Sequence, residues 1–199
     1  MSHLGLLQSE LESFQIELRA SQKLRLAMYC DELSRWNQKI NLTALSGFDL
    51  VRRLVVEPVW IARQLSLGGS LVDIGSGNGS PAIPFRIVCR FRACHLVEAR
   101  ARRAAFLRHL AVTLKLPDVT VHRARFEQIA ATIQNPDWIS LRAVALTENL
   151  INSIRLIAHH RTSVVWITSP QAQTPWDPRR SFTVPITGTQ VFLFDMDLS

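Results

Sequence analysis

The chain has 199 residues, 47% of them hydrophobic, and a formal net charge of +7, a size and composition that suit one α/β domain with a small appendage. No apolar run reaches the roughly 20 residues of a membrane span, the N-terminus lacks a secretory pattern, and Cys30, Cys89 and Cys94 show neither metal-ligand spacing nor an even framework. A cytoplasmic protein with reduced thiols, no metal and no membrane contact is expected. The charge comes from 20 arginines against 3 lysines, which suits bidentate phosphate contacts or reflects compositional bias.

In chain order, Leu4, Leu7, Leu11, Phe14 and Leu18 predict a helix over 4–20, and Leu24, Leu26, Met28, Leu33 and Trp36 a second over 22–36. A loop over 37–47 precedes a third helix over 49–66, which Pro58 should kink or restart. Residues 1–66 therefore read as an N-terminal helical cap, not a separate folding unit, on a core spanning 67–199. From residue 70 the pattern alternates: strands at 71–74, 93–97, 119–122, 137–141 and 163–168, with helices at 81–90, 100–115, 125–133 and 147–158 between them. Such alternation predicts an α/β fold with a mostly parallel, Rossmann-like sheet and helices on both faces. After a proline-rich loop over 169–180, segments 181–185 and 190–194 predict an antiparallel pair closing one edge.

The most informative stretch is residues 71–84, LVDIGSGNGSPAIP. An apolar strand runs into Gly75-Ser76-Gly77-Asn78-Gly79, and a helix follows. Glycines permit positive φ and close ligand approach, and a helix start offers free N–H groups. A dinucleotide site has G-x-G-x-x-G, but here Ser80 stands where the third glycine belongs. A second apolar run ends in Glu98, a carboxylate suited to a ribose hydroxyl pair. Turn and acid together predict a nucleoside-type cofactor without pyrophosphate, against the alternative of an ordinary tight βα turn.

Several motifs occur in one order. They are Trp36-Asn37-Gln38-Lys39-Ile40-Asn41-Leu42-Thr43, Asp73 through Gly79 followed by Pro81-Ala82-Ile83-Pro84, Glu98 with Arg102-Arg103 and Phe106-Leu107, Arg125-Phe126-Glu127, and Arg142-Ala143-Val144-Ala145. With them the chain resembles the class I S-adenosylmethionine-dependent methyltransferases. More narrowly it resembles the bacterial small-subunit (16S) ribosomal RNA guanine-N7 methyltransferases, the glucose-inhibited division protein B family. The resemblance implies S-adenosylmethionine as cofactor, ribosomal RNA or the small ribosomal subunit as partner, and a role in rRNA processing; a monomer is expected. Four departures accompany it. The family's large apolar residue and glycine are here Ser80 and Ala82. Its histidine in R-H-x-x-D-S is Leu54, with Glu57 at the acid. The strand over 163–168 lacks the flanking P-G-G and lysine, and an arginine before the last strand is replaced near Gln190. Either RNA guanine-N7 transfer, small-molecule methylation, or a degenerate module that binds cofactor or RNA without turnover is compatible with these residues.

Guanine N7 carries a free lone pair, so its methylation needs alignment and charge stabilisation but no general base. Arg142, just beyond the fourth strand, is the expected catalytic residue. It would orient cofactor or contact the guanine O6 edge or a phosphate, against the plainer reading of a capping or ion-pair arginine. Asp73, Gly75, Gly77, Gly79, Ser80, Glu98, Phe126, Glu127 and Arg142 are the expected cofactor set. The resemblance places the backbone of Phe126 and Glu127 beside adenine, with core packing as the alternative for the Phe126 ring. Asp73 either holds the turn or meets the amino-acid end through water. Trp36, Asn37 and Asn41 form either a substrate-side lip or a structural loop. Arg100, Arg102, Arg103 and Arg108, with Arg86, Arg90 and Arg92, form either a solvated face or a phosphate-binding stripe.

Overall fold

The computed structural model describes residues 2–185 and 187–196. The first helix, α1 (His3–Ser13), is shorter than its leucine spacing predicts. Gln15 takes φ 54° and ends it, and Ile16 N–H closes on the Leu11 carbonyl at 2.8 Å. Then α2 (Ala20–Asn37) runs as predicted. The third predicted helix is α3 (Gly47–Val51), a π-helical turn at Arg52–Val56, and α4 (Glu57–Leu65). Pro58 has no N–H to give the preceding turn, and the chain widens there instead of breaking: Glu57 N–H reaches back to the Arg52 carbonyl.

The core alternates as β1 (Gly69–Ile74), α5 (Ala82–Val88), β2 (Phe91–Val97), α6 (Ala101–Thr113), β3 (Val119–His122), α7 (Phe126–Ile129), β4 (Trp138–Arg142), α8 (Glu148–Ile157) and β5 (Ser163–Thr168). Two strands follow, β6 (Arg180–Thr183) and β7 (Gln190–Asp195). The sheet order is β3-β2-β1-β4-β5-β7-β6. The first five strands pair in parallel, β7 runs antiparallel beside β5, and β6 closes the edge antiparallel to β7. The mostly parallel sheet and its antiparallel edge pair agree with the pattern read from the sequence.

Strand periodicity divides the core. In β5, Val164 and Trp166 face one layer while Val165 and Ile167 face the other. One layer joins β-strand residues to α7 and α8 through Phe126, Leu150 and Ile154. The other joins them to α1–α6 and runs from Leu7 to Leu193 in one cluster. Fully buried Leu7, Leu26, Leu33 and Ile61 therefore belong to the same core as Phe85 and Phe106. Each such side chain contributes about 1.5–3 kcal/mol of burial. Between β1 and β4 the chain order reverses, which leaves a crevice at the carboxyl ends of β1, β2 and β4.

Candidate cofactor and substrate clefts

The glycine turn occupies that crevice, and its three glycines answer different requirements. All have positive φ: 73° at Gly75, 51° at Gly77 and 92° at Gly79. A Cβ on Gly75 would lie 2.8 Å from Val144, and one on Gly79 would lie 2.9 Å from Ile83, against α5. A Cβ on Gly77 would make only ordinary contacts, 3.6 Å to the Gly75 carbonyl oxygen and 3.8 Å to Arg103 Nη1, so it would clash with nothing. The Gly75 and Ser76 N–H groups donate to the Val97 carbonyl at 2.9 and 3.0 Å, which ties the turn to the end of β2. The buried Tyr29 hydroxyl of α2 donates to the Asn78 carbonyl at 2.9 Å, and burial raises the phenol well above its usual range, so it remains a donor.

Two carboxylates flank the turn. Glu98 is 6% exposed, and its oxygens accept from Gly77 N–H at 3.0 Å and Arg100 N–H at 2.7 Å. Each oxygen keeps a lone pair for a further donor. Asp73 lies deeper, on β1 opposite Ser140 of β4, and its Oδ1 accepts the Ser140 hydroxyl at 2.5 Å. Its Oδ2 is buried and has no hydrogen-bond partner among the described residues. Burial pushes the Asp73 carboxyl up to about 6, although hydrogen bonds from Ser140 and Ser76 and the Arg142 charge pull the other way.

A cleft of about 400 Å³ opens on this turn, lined among others by Leu42, Gly77, Ser80, Glu98, Arg103 and Arg142. A second cleft, about 520 Å³, lies beyond Arg142 and includes Arg53, Thr168, Ser169, Gly188 and Thr189. Arg142 and Ala143 belong to both, so the end of β4 is their shared wall. The guanidinium is held there from below. Its Nη2 lies 2.7 Å from Oε1 of Glu57, which is 0% exposed, as an ion pair and not an aligned hydrogen bond. Glu57 Oε2 accepts the Thr189 hydroxyl at 2.6 Å, and Arg142 Nη1 makes a long contact of 3.4 Å to Ser80 Oγ. Glu57 thus joins the helical N-terminal region, the end of β4 and the loop before β7.

Of the residues expected from sequence, Gly75, Gly77, Ser80, Glu98 and Arg142 line the first cleft together. Gly79 faces Ile83, Leu107 and Leu110, and Asp73 sits beneath the turn. Phe126 is 3% exposed in the layer with α7 and α8, which matches core packing, and Glu127 is exposed in the first turn of α7. The Trp36–Thr43 segment has the geometry of a structural loop. Asn37 Oδ1 accepts from Leu42 and Thr43 N–H at 2.8 and 3.0 Å, and Trp36 packs 5.5 Å from Phe106 between ring centres. That loop delivers Leu42 to the cleft. Arg103 donates to the Asn41 carbonyl at 3.1 Å, and with Lys39, Arg100 and Arg102 it borders an adjoining basic depression of about 380 Å³. Glu57 and Thr189, 132 residues apart, were not legible as a site. Two signals pointed to Glu57 alone: its place at the acid of the R-H-x-x-D-S motif, and its setting in the apolar run Leu54-Val55-Val56…Val59, where a carboxylate needs a partner. No cluster of three or more potential metal ligands occurs among the described residues.

A family profile described as rRNA small subunit methyltransferase G matches residues 22–181. The ribosomal RNA small subunit methyltransferase G of Chloroflexus aggregans is 36% identical over 135 residues, 65% of this chain and 57% of that protein. Its namesake in Wolinella succinogenes is 29% identical over 189 residues, 94% of this chain and 96% of the relative. The chain therefore spans less than two thirds of the Chloroflexus protein and nearly all of the Wolinella one. The solved structure of Escherichia coli yhhF, described as a methyltransferase, superposes with a TM-score of 0.58 at 13% identity, over 70% of this chain and 84% of that one, a likeness of fold.

Proposed function

The chain belongs to the rRNA small subunit methyltransferase G family, and on that premise we propose that it transfers the methyl group of S-adenosylmethionine to N7 of a guanine in small-subunit ribosomal RNA. The observation that carries this reading is the position of Arg142, the common wall of two clefts at the carboxyl edge of the sheet. One cleft has the chemistry for a nucleoside: open Gly77 backbone and a buried carboxylate, Glu98, with free lone pairs. The orphaned Oδ2 of Asp73 gives the same cleft a buried acceptor for a donor arriving with the ligand. Bound there, S-adenosylmethionine would supply an electrophilic methyl group on a sulfonium. The second cleft offers Thr168, Ser169 and Thr189 hydroxyls together with the guanidinium of Arg53, a set that suits the polar edge of a base.

No side chain at the junction is required to remove a proton, because N7 has none. The work left to the protein is alignment and charge. Glu57 fixes Arg142 so that its donors meet the acceptor edge of guanine, O6 beside N7, while the ring nitrogen stays free to attack. The basic border at Lys39, Arg100, Arg102 and Arg103 would hold the RNA backbone near the clefts. No helix among the described residues is long and apolar enough to cross a membrane. We further propose that the protein acts as a monomer in the cytoplasm, where small subunits are assembled.

The test is incubation with methyl-labelled S-adenosylmethionine and small subunits, or their RNA, lacking the modification. Label in N7-methylguanosine is expected. Cofactor binding without transfer to any RNA would instead identify a module without turnover, and transfer only to small molecules would reject RNA as the substrate.

A further inference from the structure

We propose that a groove of arginines at the opposite edge of the sheet is a second binding surface for the sugar–phosphate backbone of the RNA. The inference rests on the RNA substrate assigned above and adds a site that lies away from the chemistry. The groove, about 690 Å³, is larger than either cleft beside Arg142. It forms where α2 begins and where α4 and α5 end, at the amino edge of the strands. Its lining includes Arg19, Arg25, Arg63, Arg86 and Arg90, and the carboxylate among its lining residues is Glu17.

Arg86 is neutralised by Asp118 at 2.5 Å. Arg19, Arg25, Arg63 and Arg90 are exposed, and none forms an ion pair among the described residues. Helix dipoles explain Arg63 and Arg86, which lie in the last turns of α4 and α5, where cations are favoured. They do not explain Arg19 and Arg25. Arg19 is the N-cap of α2, at the positive end of a helix with no acid in its first turn, and Arg25 follows six residues later, in the second turn of that helix. Glu17 is the carboxylate of the lining, and it forms an ion pair with none of these arginines among the described residues. The Gln22 amide donates to the Ile87 and Val88 carbonyls at 3.3 and 3.4 Å, and these are the carbonyls that close α5. Four exposed guanidinium groups without ion-pair partners, against one carboxylate, give the groove a net positive field that favours an external anion.

The anion fits a phosphate backbone. Guanidinium groups form bidentate contacts with phosphate oxygens, and the open groove suits a strand better than an enclosed small ligand. No aromatic side chain lines it, so it offers no platform for stacking bases. The two edges are separated by the six residues of β1, roughly 20 Å at ~3.3 Å per residue. A folded RNA can touch both edges at once, whereas a short oligonucleotide seated at Arg142 cannot.

That separation supplies the test. Arg19→Gln, Arg63→Gln and Arg90→Gln are combined in the full-length protein, and methylation of small-subunit RNA is compared with that of a short guanine-containing oligonucleotide. The variant should raise KM for the folded RNA about tenfold while leaving kcat, the oligonucleotide KM and S-adenosylmethionine affinity unchanged. The slope of log affinity against log salt should become less steep by about 0.7–0.9 for each phosphate that the variant no longer binds. Thermal unfolding checks the fold, and if the triple variant unfolds, each single variant should remove its own share of the slope. Unchanged KM and slope in these variants, with KM raised by Arg102→Gln/Arg103→Gln, would overturn the groove and leave the proposed function standing. An effect confined to binding of anionic phospholipid vesicles would overturn it in favour of a lipid surface. If the wild-type protein neither binds nor methylates RNA, the proposed function has failed and the groove falls with it.

Discussion

Gly77 and Gly79 are two residues apart, yet substitution should affect them differently. Gly77→Val forces a β-branched residue to φ 51° and fills the space that faces the cleft, so cofactor affinity should fall at least tenfold in calorimetry. Gly79→Ala instead drives a Cβ to 2.9 Å from Ile83 at φ 92°. It should lower unfolding stability by about 1–3 kcal/mol, with cofactor affinity less affected. Unchanged affinity in Gly77→Val would remove the turn from the cofactor site. For Arg142 the pairing with Glu57 decides how a substitution reads out. Arg142→Ala leaves a carboxylate that is 0% exposed without its counter-ion, and should therefore destabilise the fold by about 3–5 kcal/mol besides slowing turnover. Arg142→Gln with Glu57→Gln removes both charges together. It should recover most of that stability while turnover stays two or more orders of magnitude down, on the order of 2–4 kcal/mol. Wild-type turnover in a stable double variant would refute a role for the guanidinium in transfer. Asp73 gives a pH signature. Its folded carboxyl titrates at about 6 against an ordinary 3.8, so the folded state holds the proton more tightly, and this group's contribution to stability falls as pH rises through that window. The cost at neutral pH is on the order of 3 kcal/mol. Urea unfolding at pH 7.5 and 4.5 should find Asp73→Asn relatively more stable than wild type at the higher pH, and a pH-independent difference would contradict this. His95 and His122, with ring nitrogens 3.0 Å apart, act in the other sense. Burial lowers both, and the neighbouring His122 lowers His95 further, so their contribution is complete above the ordinary histidine value and is lost as pH falls below it towards the lowered folded values.

At the scale of elements, the helical N-terminal region brings parts of the site as well as core. Tyr29 of α2 holds the glycine turn, Glu57 of α4 holds Arg142, and buried Glu10 of α1 grips Arg52 of the π-helical turn through contacts of 2.6 and 3.1 Å. The π turn directly precedes Glu57, and a widened turn there sets the rotational position of Arg53 and Glu57 relative to β4. Because Leu7, Leu26, Leu33, Val59 and Ile61 share one cluster with Phe85, Phe106 and Leu193, residues 67–199 should not fold alone. A chain starting at residue 67 is expected to lack a cooperative thermal transition and to bind a hydrophobic dye. A sharp transition close to that of the full chain would establish an independent core.

Across the whole molecule the chain carries a net charge of +7, and basic side chains line depressions at both edges of the sheet. RNA affinity should fall linearly in log–log form with added salt, and Arg102→Glu/Arg103→Glu should flatten that slope and weaken binding to all RNA sequences alike. Gel-shift or filter titrations over a salt series measure it, and a salt-insensitive affinity would exclude backbone contacts as the main source of binding.

Strand alternation, the glycine turn, Glu98 and the end of β4 were legible from residues 69–168 because each is a local pattern: short apolar runs between helical segments, closely spaced glycines, and an acid at a strand end. Helix ends were less legible. The leucines of 4–20 keep helical spacing past Ser13, where the left-handed Gln15 breaks the helix for a tertiary turn. Pro58 announced an interruption of the third helix but not that a π turn would absorb it. What only the tertiary structure decided is which groups meet. Asp73 reaches Ser140, Phe126 turns into the core, and Arg142 finds Glu57 and through it Thr189. A chain pattern records the period of an element and the acid at its end. The partner that a buried charge requires is selected by packing between segments far apart in sequence, and here that packing places Arg142 between the two clefts.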